Sequence, residues 1–275
     1  MISKSILRFF ASCMVISLLV GCSGLPPKQS MKKPSMSTEC RSVMDGLYDL
    51  KKDLGLPEHL MSENPVRQDT DFDPNQYFQV LTHLQMKPDY RLDFVYFNDW
   101  MGGMPLVYAR ETDSAPFQSY ADYLRSFGEE PSDETSFKKL GHNSDYLGQV
   151  QADQTPESYF EFVSLAFLGD QFYLWWHSNY NDEKIMCDSS DVQYIEADLQ
   201  GFQLKLPREV RNGIKKIDFT PTVKVDQTEV TVRFLTFTKW GGFYENIYVL
   251  DKDDPAIVLS QKSNPLIEYD CGIAF

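Results

Sequence analysis

Cys40, Val43, Met44, Leu47, Leu50 and Leu54 recur at intervals of three and four, which places them on one face of a helix over residues 38–54. Gly55 then offers a left-handed stop. A second helix is predicted to open at Asp73-Pro74, where a carboxylate caps free amides and proline fits the first turn. Its apolar stripe is Tyr77, Val80, Leu81 and Leu84, and Pro88 ends it. The acidic run from Asp71 to Asn75 is not a calcium loop, because Gln76 stands where glycine is needed and no glutamate follows at the twelfth place. After Pro88 the period falls to two. Residues 92–97 and 106–109 flank Trp100-Met101-Gly102-Gly103, which predicts a hairpin. A helix over 115–127 follows, capped by Ser114 and stopped by Gly128, and residues 129–145 read as a polar acidic loop. A division into two subdomains would fall in that loop.

Residues 159–188 admit two readings. Gly169-Asp170 resembles a two-residue hairpin loop, which favours a meander of strands over 159–168, 171–179 and 184–187, with a turn at Tyr180-Asn181-Asp182. The competing reading is a helix over 156–168, opened by Thr155-Pro156 and feeding one strand. Val192, Ile195 and Leu199 then mark a short helix, and another follows Pro207. Strands are predicted over 223–225, 228–238, 243–250, 256–259 and 266–269. Because these strands come in hairpins, without long crossover helices, the fold class is α+β with mainly antiparallel sheet and several packed helices. The stretch from Phe97 to Gly103 echoes Phe237 to Gly242, which we read as reuse of one hairpin device.

The first 22 residues have a different character. Lys4 and Arg8 form a basic start, residues 9–20 an apolar run, and small Gly21 precedes Cys22. The run is shorter than the roughly 20 residues that span a bilayer. Leu19-Val20-Gly21-Cys22 resembles the lipobox of bacterial lipoproteins. That resemblance implies cleavage before Cys22, diacylglycerol on its sulfur, and a bilayer as partner. An ordinary secretory signal that happens to contain a cysteine is the competing reading. Ser23 after the cysteine resembles the pattern for export to the outer membrane, facing the periplasm. The expected organisation is a signal peptide over 1–21, a tether over 22–37 rich in Pro, Ser and Lys, and a globular domain over 38–275. A coil of that tether's length reaches roughly 20–25 Å.

Without residues 1–21, which carry two basic groups and no acidic one, the formal net charge moves from −14 to −16. Such a chain is repelled by nucleic acid, so no nucleic-acid partner is expected. A hydrophobic share of 42% is enough for a full core. Three cysteines remain beyond the signal and Cys22: Cys40, Cys187 and Cys271. They allow one disulfide, and Cys187 with Cys271 is the favoured pair because both border strand-like runs. No metal site or cofactor is expected, since there is no CxxC and His59, His83, His142 and His177 are scattered.

The densest chemistry lies in Trp175, His177, Asn179, Asn181 and Asp182, a candidate binding surface for a glycan, peptide or envelope protein. On a strand Trp175 and His177 share one face, while Trp176 and Ser178 share the other. Trp100 and Trp240, each beside a Gly-Gly pair, are secondary candidates. The same residues also serve as ordinary core and turn positions, which is the bland reading of the segment. The sequence shows no GxSxG, HExxH or phosphate-binding glycine loop, so no catalytic residue is assigned. Carboxylate pairs for glycoside hydrolysis leave no spacing signature. A tethered binding module is therefore the leading reading. A hydrolase of envelope glycan or peptide and a helper for lipid or lipoprotein transport are the alternatives.

Overall fold

The computed structural model describes residues 36–99, 102–128, 145–180 and 183–272. The signal, Cys22, almost all of the tether and the acidic loop at 129–144 lie outside the described residues. Helix α1 (Met36–Lys51) buries Cys40, Val43 and Leu47, the stripe that its spacing predicts. It ends before Gly55, which is not among the left-handed glycines. Asp73 does cap the next element, accepting from the Asn75 amide, and Pro74 stands in its first turn. That element is only a short 3-10 helix, Pro74–Gln79. Asn75 explains its shortness: its side chain donates to the Leu92 carbonyl and accepts from the Leu92 amide, which holds the turn against a strand. Leu84 then belongs to strand β1 (Leu84–Met86), paired antiparallel with β4 (Val150–Ala152).

Strands β2 (Tyr90–Asp99) and β3 (Gly102–Glu111) form the predicted hairpin in unbroken register, from Tyr90 opposite Glu111 to Asp99 opposite Gly102. Both faces of this hairpin are covered. Leu92, Phe94, Tyr96 and Val107 face the main core, whereas Val95, Leu106 and Tyr108 pack with Tyr120, Tyr123 and Leu124 of helix α2 (Tyr120–Ser126). Helix α2 is capped by Ser119, not Ser114. Pro116 biases the residue before it away from helix, and the Phe117 amide donates to the Tyr108 hydroxyl. The left-handed Gly128 follows α2 as its spacing predicts.

The meander over 159–188 is corrected. Residues 156–168 are helix α3 (Pro156–Leu168), with Thr155 capping the Ser158 amide and Pro156 in the first turn. Tyr159, Phe160, Phe162, Val163 and Leu165 are all buried, so α3 is apolar around most of its circumference. Such a helix has no 3.6-residue signature, because every side faces protein. Gly169 ends it by close approach and makes no hairpin turn. A Cβ there would lie 2.5 Å from the Tyr146 hydroxyl and 2.6 Å from the Leu165 carbonyl oxygen. The predicted strand over 171–179 shrinks to β5 (Trp175–Trp176), paired with β3.

Strand β6 (Lys184–Met186), helix α4 (Asp191–Gly201) and helix α5 (Arg208–Ile214) follow. The last third is β7 (Thr222–Val225), β8 (Glu229–Thr238), β9 (Gly242–Asp251) and β10 (Val258–Glu268). One irregular strand, β10, replaces two predicted ones, since its register shifts around Val258 and Pro265 without breaking the ladder. The sheet order is β10-β9-β8-β6, with β7 also on β8, and all these pairs are antiparallel. One face of β8 and β9 gives Val230, Val232, Phe234, Tyr248 and Leu250 to the main core shared with α1 and α3. The other gives Leu235, Phe237 and Phe243 to a second cluster with α4 and α5. The fold is α+β with antiparallel sheets. No helix among the described residues is long and apolar enough to cross a membrane.

The disulfide joins Cys40 to Cys187, with Cα atoms 5.5 Å apart, and Cys271 is a buried free thiol. The pairing of Cys187 with Cys271 is therefore corrected. Cys40 and Cys187 share the main core, whereas Cys271 belongs to the second cluster, so position at a strand end did not bring the thiols together. Arg41 flanks the disulfide, paired with Asp188 and Asp191.

Candidate functional site

Two places gather chemistry. The first is the β5 segment. Trp175 is half-buried, its Nε1 donating to the Asn98 side chain at 3.2 Å while its ring lies over Gly103. A Cβ at Gly103 would sit 2.1 Å from that nitrogen, so only glycine admits the ring there. Trp176 takes φ of +49°, and the 3-10 turn His177–Tyr180 begins immediately after it. The strand alternation that would put Trp175 and His177 on one face therefore stops at Trp176. Instead the Trp176 and His177 rings stack, with centroids 5.2 Å apart and planes 20° apart. Trp176 is 54% exposed. A left-handed backbone costs a non-glycine residue about 1–2 kcal/mol.

Asn179 contributes its backbone to packing: its carbonyl accepts from Lys239 Nζ at 3.1 Å. Trp240 is half-buried against the second cluster. Asn181, Asp182 and Trp100 lie outside the described residues. The structure thus brings Trp175, Trp176 and His177 together at the edge of the hairpin sheet and places Trp240 against a different core.

The second place was not legible in the sequence. Glu39 lies in the first turn of α1, His83 precedes β1, and Glu161 is on α3. A carboxylate oxygen from each glutamate and a ring nitrogen of His83 all lie within 4.8 Å of one another. Glu161 is fully buried. One of its oxygens accepts from the His83 amide at 2.8 Å, while Oε1 has no hydrogen-bond partner among the described residues. His83 Nδ1 stands 2.7 Å from an Asp153 carboxylate oxygen. The Thr155 hydroxyl and amide in turn donate to Asp153. Histidine scatter along the chain gave no metal expectation, and a strand over 159–168 gives no reason to place Glu161 beside Glu39 and His83. The available signal was a single carboxylate inside the apolar run from Tyr159 to Val163.

Burial pushes the Glu161 carboxyl up from 4.5 to about 7. The hydrogen bond to Asp153 raises the His83 imidazole. Burial opposes ionisation of Asp153, but hydrogen bonds from Thr155 and His83 bring it down to about 2. A raised carboxyl favours the folded state most where it is protonated in both states, below 4.5, and that stabilisation is lost as pH rises through 7. For Glu161 the loss is on the order of 3 kcal/mol. His83 adds in the same direction above its ordinary 6.5, while Asp153 acts only at the acid end. Burial also raises the Asp170 carboxyl from 3.8 to about 6, so urea unfolding of metal-free protein should show stability falling by about 4–5 kcal/mol between pH 4.5 and 7.5. Glu161→Gln should remove the Glu161 share, about 2–3 kcal/mol, and leave that of Asp170. An equal fall in the variant would show that another group titrates.

No protein-family model, curated protein or solved structure matches this chain. Its function therefore has to be argued from its own sites.

Proposed function

We propose that this chain is a lipid-anchored binding module of the bacterial cell envelope, which presents Trp176 and His177 to a glycan or peptide ligand. The observation that carries this reading is the exposed Trp176, held with its ring on His177 in a left-handed backbone conformation. Strain kept at a solvent-facing aromatic motivates a functional surface, since a turn alone would be better served by glycine or asparagine. The lipobox-like segment ending in Cys22 supports the anchor. The Cys40–Cys187 disulfide suits an oxidising compartment outside the cytosol. Trp175 acts as the prop, wedged over Gly103, and Trp176 as the platform.

Tryptophan fluorescence titration with soluble muropeptides, and in parallel with chitooligosaccharides, tests the binding surface. A saturable change is expected in the wild type. Trp176→Ala should weaken it at least fivefold, in line with about 1–3 kcal/mol for a stacked ring, while melting within about 2 °C of wild type. No saturable change with either ligand up to millimolar concentration, or equal affinity in the variant, overturns the binding surface. Intact mass and detergent-phase partition test the anchor separately. The wild type should carry an acyl increment on Cys22, and Cys22→Ala should lose both that increment and its membrane partition.

A further inference from the structure

We propose that Glu39, His83 and Glu161 form a binding site for a divalent transition metal of the zinc class, with Asp153 as the positioning residue behind the imidazole. The inference is independent of the aromatic edge.

Three observations support it. The first is distance. The three ligand atoms lie within 4.8 Å of one another, and an equilateral triangle of that side has its centre about 2.8 Å from each corner. Zinc binds imidazole nitrogen and carboxylate oxygen at about 2.0–2.2 Å, so shifts of about 0.6–0.8 Å in each side chain close the site. The second is the buried oxygen. Glu161 is fully enclosed and Oε1 has no donor among the described residues, which is costly for a carboxylate unless it takes up a proton or a cation. The third is the outer support. His83 Nδ1 stands 2.7 Å from an Asp153 carboxylate oxygen, and a proton on Nδ1 would leave Nε2 with the lone pair, the carboxylate–imidazole arrangement that orients metal-binding histidines.

The scaffold holds these groups from three separate elements. Glu39 precedes Cys40, which the disulfide ties to Cys187, so the first turn of α1 is fixed covalently. Glu161 is carried by the buried helix α3, and the amide of His83 is bonded to its carboxylate. Glu39 and His83 are half-exposed, which gives an ion a route from solvent and leaves a fourth position for water. The imidazole decides the class of ion. Calcium and magnesium take oxygen ligands, whereas one nitrogen and two carboxylates suit zinc and its neighbours.

The full untagged chain, purified in detergent and stripped with EDTA, can be titrated with zinc against a chromophoric chelator. One zinc per chain is expected, bound at micromolar or tighter affinity. His83→Gln and Glu161→Gln should each weaken it at least tenfold, and Asp153→Asn by roughly tenfold. Zinc-edge X-ray absorption should retain imidazole scattering in Asp153→Asn and lose it in His83→Gln. That difference separates positioning from ligation. Melting of the metal-free variants checks their folding, and if Glu161→Gln fails to fold, the half-exposed His83→Gln decides. No stoichiometric zinc in the wild type, or wild-type affinity in His83→Gln, overturns the site. Displacement of zinc by millimolar calcium or magnesium overturns the transition-metal assignment.

Discussion

Replacing Cys40 and Cys187 by serine is expected to destabilise the domain more than any other change considered for this protein. The bond joins residues 147 positions apart. Chain-entropy arguments assign a loop of that length about 5 kcal/mol, and removing native disulfides from secreted domains typically costs about 2–5 kcal/mol. Set against total stabilities of about 5–15 kcal/mol, the double variant should be marginal at 37 °C. Urea unfolding of the wild type with and without dithiothreitol measures the same quantity without mutation. Non-reducing peptide mapping should recover Cys40 linked to Cys187 with Cys271 free. An unchanged midpoint on reduction, or a recovered link from Cys187 to Cys271, would show that this pairing is wrong. The bond also fixes the turn that carries Glu39, so reduction should weaken zinc binding together with stability.

The second large effect is expected at Asp93. This β2 carboxylate is 1% exposed, with Arg110 Nε at 2.9 Å and Arg67 Nη1 at 3.2 Å, while the Phe94 amide donates to it. Neither guanidinium is well solvated, and that of Arg67 also lies over the Phe94 ring, 5.3 Å from its centroid. Asp93→Ala leaves two half-buried, poorly solvated cations without their shared counter-charge, a change that costs about 3–5 kcal/mol. A fall in melting temperature of roughly 10 °C is expected for a domain of this size. Adding Arg110→Leu should recover part of it, because removing both partners is milder than removing one. A single variant that melts within 2 °C of wild type would mean that water already screens the cluster.

The aromatic edge and the carboxylate cluster were legible to different degrees. Trp175 and His177 stood out as a dense run of aromatic and polar groups. Their relative directions depended on a backbone reversal at Trp176 that no alternation pattern carries. Glu161 was visible only as one acid in an apolar run, and its meaning required knowing that residues 156–168 are helical. Glu39 and His83 are 44 positions apart in the chain and become neighbours only when α1 packs near β1 and α3.

The amino-acid sequence by itself determined what local energetics control. The stripe of α1, the Asp73-Pro74 opening, the hairpin around Gly102 and the strands of the last third each follow from spacing, capping or turn chemistry. The α+β class follows from the order of those elements. Tertiary structure decided what depends on simultaneous burial. An all-round apolar segment is equally consistent with strand and helix until its neighbours are placed, and packing on several sides selected helix for α3. Thiol pairing followed core membership, because a disulfide requires Cα atoms a few ångströms apart, whatever their place along the chain. The grouping of Glu39, His83 and Glu161 has the same origin, since contacts among residues distant in sequence are fixed only when the elements carrying them share a core.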